Sequence, residues 1–150
     1  MSWMSNNYDP KRHHLYTPVN KDKYIGRKNP VCRSTWERDF CYLLDHDRRV
    51  VEWSSEALYI PYMLNGKRKH YYPDFYVKIK KPNGYEKWIV EIKPYIQTQP
   101  PKKGKNKSRK TKLNEKLTFD KNIAKWKAAK RFCKKMGYEF KIITEKQLYK

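Results

Sequence analysis

Apolar positions Trp36, Phe40, Leu43 and Leu44 recur at the three- and four-residue spacing that gathers side chains on one side of a helix, predicting helix 34–46. Ser34 and Glu37 have the S-x-x-E spacing of a capping box, in which the hydroxyl and the carboxylate each satisfy a backbone N–H of the first turn. After the Asp45–Arg49 turn the pattern shortens. Val50–Trp53 and Ala57–Ile60 read as short strands, and Asn65-Gly66 is a hairpin turn between 60–63 and 70–79. A second turn at Pro82-Asn83-Gly84 leads into 88–93, closed by Pro94, so that 60–63, 70–79 and 88–93 form a three-strand meander. From about Leu113 the helical period returns: Trp126, Ala129, Cys133 and Met136, flanked by Ile123 and Phe132, form a stripe that ends at Gly137. Phe140, Ile142 and Ile143 make a last strand. The order α, three β, α, β predicts an α/β fold with a mixed sheet and helices against it.

Residues 1–30 show no such period. Asp9-Pro10, Thr17-Pro18 and Asn29-Pro30 break them into turns, and their aromatics Trp3, Tyr8, Tyr16 and Tyr24 predict an irregular arm packed on a body comprising 31–150. His13-His14 receives no role. At 150 residues one domain is expected. No apolar run approaches the ~20 residues of a membrane span, and the first residues lack a secretory pattern, so an intracellular protein is expected. Cys32, Cys41 and Cys133 are odd in number and form no C-x-x-C pair, which predicts reduced thiols in or near the core rather than a disulfide framework or a zinc site.

Charge changes the picture more than length does. The formal net charge is +21, and residues 76–150 carry 23 basic against 6 acidic side chains. The densest run holds Lys102, Lys103, Lys105, Lys107, Arg109, Lys110 and Lys112. Such a run repels itself, so it reads as a basic loop at 97–112 that orders against phosphates, pointing to a nucleic-acid partner.

Within the meander, alternation sets Asp74 off the apolar face carrying Phe75, Val77 and Ile79. In the next strand Glu91 and Lys93 project on the side opposite Trp88, Val90 and Ile92. Antiparallel neighbours can bring Asp74 and Glu91 to about 5 Å. Two carboxylates that close repel by roughly 3 kcal/mol at an effective dielectric of ~20 unless a cation, a proton or a lysine intervenes. Hard oxygen donors suit Mg²⁺, and Lys93 on the same edge can bind a phosphate, position a water or stabilise developing negative charge. The Glu-x-Lys spacing is weak by itself, because Glu139/Lys141 repeats it. Only Glu91/Lys93 ends an apolar strand preceded by one opening with Pro73-Asp74.

Pro73-Asp74 and Glu91-Ile92-Lys93, with 16 residues between Asp74 and Glu91, resemble the PD-(D/E)XK motif of restriction-endonuclease-like nucleases. The αβββαβ core of those enzymes matches the predicted order. Arg33-Ser34-Thr35-Trp36-Glu37, Trp53-Ser54-Ser55-Glu56, Ile60-Pro61-Tyr62 and Tyr72-Pro73-Asp74-Phe75, with the Tyr16–Asn20 stretch, are similar more narrowly to head completion nucleases of T4-type phages. A related pattern occurs in the endonuclease subunits of heteromeric transposases. The resemblance implies a metal-dependent endonuclease acting on packaged or end-structured double-stranded DNA with little sequence specificity. It implies Mg²⁺, with Mn²⁺ as a substitute, held by Asp74, Glu91 and the Ile92 carbonyl, with Lys93 catalytic and Glu37 reaching the metal directly or through water. That role competes with Glu37 as a cap. Lys121 or Lys125 on the second helix is a further candidate at phosphate. The implied setting is host cytoplasm during assembly and the virion head or neck, with portal or neck proteins as partners. The alternative is a non-catalytic DNA-binding structural protein of the head or neck. An RNA binder stacking bases on Tyr71, Tyr72 and Tyr76 is a third reading, without any RNA-module signature.

Overall fold

The computed structural model describes residues 14–104 and 106–149. Trp3, Tyr8, His13 and Lys105 lie outside the described residues. The chain begins with β1 (His14–Leu15), which pairs antiparallel with β2 (Val31–Cys32) and leads into α1 (Thr35–His46). Next come β3 (Val50–Ser55), the hairpin β4 (Ile60–Leu64) and β5 (Lys67–Tyr71), then β6 (Phe75–Lys81) and β7 (Gly84–Ile92). A 3-10 turn at Tyr95–Thr98 precedes α2 (Arg109–Met136), β8 (Glu139–Ile143) and the short α3 (Glu145–Leu148).

The main sheet has the order β3-β6-β7-β8. Its first three strands are antiparallel, and β8 joins β7 in parallel after α2 crosses over, so the sheet is mixed and the α-βββ-α-β order holds for α1, β3, β6, β7, α2 and β8. Both faces are covered. Phe40, Cys41 and Leu44 of α1 pack on Trp53, Phe75, Val77, Val90 and Ile92. Tyr76 and Ile89 on the other face meet Phe132 and Cys133 of α2. Double coverage is why β6 and β7 read as nearly continuous apolar runs.

The meander is made of other strands than those expected. The first core strand is β3, whereas β4 and β5 form a separate two-stranded hairpin that lays Ile60, Tyr62 and Tyr71 on Trp126 and Ala129 of α2. Stretch 70–79 is cut between Tyr71 and Phe75 by Pro73, whose missing N–H cannot continue a ladder. Ala57–Tyr59 form no strand, because the chain leaves β3 through Glu56 at φ 50°. Alternation runs unbroken from Tyr71 to Ile79, so it could not show that the partner strand changes there. The Asn65-Gly66 turn stands as expected, both residues at positive φ.

The basic stretch is also more ordered than its charge suggests. Helix α2 starts at Arg109, four residues before the expected Leu113, because Ser108 caps it by accepting from the Thr111 N–H at 3.1 Å. Lys107 Nζ reaches Glu115 Oε2 at 2.8 Å and Lys116 reaches Asp120 at 3.1 Å, which offsets self-repulsion in the first turns. Gly137 closes the helix at φ 78°.

Residues before α1 are pinned by the fully buried Asp45. Its carboxylate accepts from Tyr16 Oη (2.6 Å), Val19 N (2.7 Å) and Asn20 N (2.9 Å). Burial works to raise this carboxyl, but the three donors outweigh it and hold it below the usual range. Tyr24 sets its ring edge on Trp53, centroids 4.7 Å apart. All three cysteines are free and buried. Among the described residues no helix is long and apolar enough to cross a membrane.

Candidate active site

Antiparallel register decides where the acids meet. Phe75 pairs with Val90, so one step further along, just before β6 begins, Asp74 stands across from Glu91. Asp74 Oδ2 accepts the Ile92 N–H at 2.7 Å, which orients the carboxylate into a cleft at the end of the sheet. Glu91 is buried, and its Oε2 lies 3.6 Å from Lys93 Nζ. The cleft holds about 540 Å³ and is lined by Glu37, Asp74, Glu91, Ile92 and Lys93, and also by Arg33, Glu56, Tyr71 and Lys125.

Glu37 touches the start of α1 and also lines the cleft. Ser34 Oγ accepts from the Glu37 N–H at 3.2 Å, and Glu37 Oε2 takes the N–H of Arg33 at 2.8 Å, one residue before the position a capping box requires. The same oxygen also accepts from Ser34 Oγ at 3.3 Å, so the carboxylate holds the first turn of α1 while its side chain lines the cleft.

Crowding sets the electrostatics. Burial first, then the charges of Glu91 and Glu37, hold the Asp74 carboxyl well above the usual carboxylate range, against the pull of the Ile92 N–H. Burial also raises Glu37, opposed by hydrogen bonds with Arg33 N–H, Asp74 and Ser34. Glu56 is pushed up to about 8, mainly by burial and further by Glu37, while the Arg33 charge pulls it down. One of its oxygens, Oε2, is buried without a hydrogen-bond partner. Burial raises the Tyr71 phenol, and the nearby Glu91 and Asp74 charges raise it further, so it stays neutral.

Lys125 answers the acids from across the cleft. Burial lowers its affinity for a proton, Lys121 and Lys93 add to that, and Glu91 and Asp74 oppose it. Its Nζ also sits 5.4 Å from the centre of the Tyr71 ring. Lys121 is exposed and does not line the cleft. Of the two lysines on α2 that the sequence offered at phosphate, the cleft takes Lys125, which many surface lysines had kept from standing out. Glu56 ends one of the stretches that carry the resemblance, Trp53-Ser54-Ser55-Glu56, but receives no role in the site from sequence.

The basic run lies apart from these groups. Lys102, Lys103, Arg109, Lys110 and Lys112 are exposed, and none lines the cleft; Lys107 spends its ammonium on the Lys102 carbonyl and Glu115. From Arg109 to Lys125 the helix rises about 24 Å. Among the described residues, no group of three His, Cys, Asp or Glu side chains is gathered closely enough to enclose a metal ion by itself.

Comparison with known proteins bears on this cleft. The family described as TnsA-like endonuclease N terminal matches residues 47–145, a stretch that takes in Glu56, Asp74, Glu91, Lys93 and Lys125. The chain belongs to the TnsA-like endonuclease family. It is also 36% identical over 136 residues to the head completion nuclease of Enterobacteria phage T4, covering 87% of this chain and 89% of that protein. The family match thus runs from the turn before β3 to the start of α3, and Glu37 lies outside it.

Proposed function

We propose that this endonuclease is a divalent-metal-dependent DNA hydrolase acting in phage head completion, with Asp74, Glu91, Lys93 and Glu37 as its catalytic set. The reading is carried by one observation: adjacent strands bring Asp74 and Glu91 face to face in a cleft where Lys93 and Lys125 also converge. Two opposed carboxylates suit a hard cation that keeps waters and takes phosphate oxygens, which fits Mg²⁺, with Mn²⁺ as a substitute. Asp74, Glu91 and the Ile92 carbonyl would hold it, and Glu37 would reach it directly or through water. Once bound, such an ion supplies positive charge to phosphate oxygens and makes water more acidic.

The chain's own groups do the rest. Lys93, kept beside Glu91, orients the attacking water and stabilises charge growing on the phosphate. Lys125 approaches from α2 and neutralises a second phosphate oxygen. The Ile92 N–H fixes Asp74, so the acid needs no rearrangement at the moment of reaction. The exposed Lys102, Lys103, Arg109, Lys110 and Lys112 hold DNA through backbone phosphates rather than bases, with Arg109 about 24 Å along the helix from Lys125. That arrangement favours duplex DNA with little sequence preference.

The test is cleavage of linear, circular, branched and single-stranded DNA with Mg²⁺, Mn²⁺ or EDTA. Cleavage should need the metal and vanish in Asp74→Ala, while salt-sensitive binding remains. Equal cleavage by both proteins would remove the proposal. Head or neck function is read by complementation: a Glu91→Ala/Lys93→Ala protein that still yields infectious particles would favour a purely structural DNA-binding role.

A further inference from the structure

An aromatic cluster on the rim of the cleft has no part in the chemistry described so far. The hairpin register that pairs Ile60 with Tyr71 puts Tyr59 across from Tyr72, one step beyond the ladder. His70 stacks on Tyr59 with ring centroids 4.3 Å apart and planes 27° from parallel. Tyr72 stands 6.0 Å from Tyr59 and 6.4 Å from His70. His70 and Tyr72 line the same cleft as Asp74 and Glu91. None of the three rings is part of the buried apolar clusters, and Tyr59 is 48% exposed. Packing therefore does not account for them.

The hairpin that carries the cluster is firmly seated. Alternation turns Tyr71 inward onto Trp126 and Ala129 while His70 faces outward. Lys67, Arg68 and Lys69 at the hairpin end are exposed. Rigid aromatic rings beside exposed cations form the combination that holds unpaired nucleotides, with the base on a ring and the phosphate on a cation. In continuous duplex both faces of a base are covered by its neighbours, so such rings find nothing to stack on.

We infer that Tyr59, His70 and Tyr72 form a stacking site for an unpaired base next to the bond being cut, directing the enzyme to gaps, flaps and frayed ends over continuous duplex. This rests on the DNA-hydrolase reading for its biological sense, but its test does not need cleavage.

A fluorescent base analogue is placed in the gap of a gapped duplex and mixed, in EDTA, with the full chain carrying Asp74→Ala. Stacking should quench it. Adding Tyr59→Ala and His70→Ala should remove at least about half of the quench and weaken binding to gapped DNA by roughly 5- to 150-fold, the range of one base stack. Binding to intact duplex should change by less than about threefold, which also shows that the variant is folded. Aromatic replacements, Tyr59→Phe with His70→Phe, should keep the quench. An unchanged quench in the alanine variant, or an equal loss on gapped and intact DNA, overturns the inference. Failure of the hydrolase reading would appear separately, as cleavage that ignores Asp74, and would leave the quench in place.

Discussion

Replacing Asp74 by Asn should make the protein more stable and inactive at once. Asp74 and Glu91 face each other across β6 and β7. At ~5 Å and an effective dielectric of ~20, two such charges would repel by about 3 kcal/mol, a conflict the fold carries at neutral pH either as repulsion or as the cost of protonating Asp74, whose carboxyl is held well above the usual range. An Asn oxygen still accepts from Ile92 N–H, but loses the charge on that bond, which costs about 1 kcal/mol. The net gain is about 2 kcal/mol, worth roughly 4–8 °C in Tm for a chain of this size. Thermal unfolding in EDTA at neutral pH, followed by circular dichroism, reads the gain directly. With Mg²⁺ added, the melting point of the wild type should rise and that of Asp74→Asn should not, since ligands that bind the native state stabilise it. Plasmid cleavage should fall by at least about 100-fold, the scale of losing a group that acts at the transition state. An Asn variant that melts lower than the wild type in EDTA would refute the reasoning, because it would mean that the carboxylates are not in conflict.

Other residues give independent checks. Glu37→Gln keeps an acceptor for Arg33 N–H, so stability should change by less than about 1 kcal/mol while cleavage drops, separating the cap from the site. Lys125→Met should lower kcat by about 10- to 100-fold and leave duplex affinity within about threefold, measured by single-turnover cleavage and anisotropy. Changing Lys102, Lys103, Arg109, Lys110 and Lys112 to Gln should flatten the plot of log affinity against log salt by about 0.9 for each phosphate that is no longer neutralised, with cleavage nearly intact at saturating DNA. Asp45→Ala should cost about 3 kcal/mol in urea unfolding by stranding the donors of Tyr16, Val19 and Asn20. Because the folded Asp45 carboxyl lies below its unfolded value, its stabilisation is complete above about pH 4 and is lost as pH falls through the folded value. The gap between wild type and Asp45→Ala should therefore narrow in acid.

The alternation of single strands, the Ser34 cap and the Asn65-Gly66 and Gly137 stops were legible in the sequence, because each depends on the backbone within a few residues, whereas the Ser108 cap was masked by the basic run around it. So was the pairing of Asp74 with Glu91: a strand opening at Pro73-Asp74 and another ending at Glu91-Lys93 can face each other in only a few registers. Charge told of a polyanion partner for the same reason, since it needs only counting.

Only the tertiary structure decided which strands share a sheet. Alternation continues from Tyr71 through Pro73 to Phe75, Val77 and Ile79, and what separates the hairpin at 60–71 from the core strand at 75–81 is packing, one on α2 and the other between two helices. The same holds for the cleft. Lys125, Glu56 and Glu37 come from places far apart in sequence, and although Glu37 and Lys125 were candidates, nothing local shows that the three converge. They meet because the crossover of α2 and the covering of the opposite face by α1 bring them to the sheet end where Asp74 and Glu91 already stand. Side-chain types and local turns are properties of the chain, whereas convergence at a point is a property of how its layers are stacked.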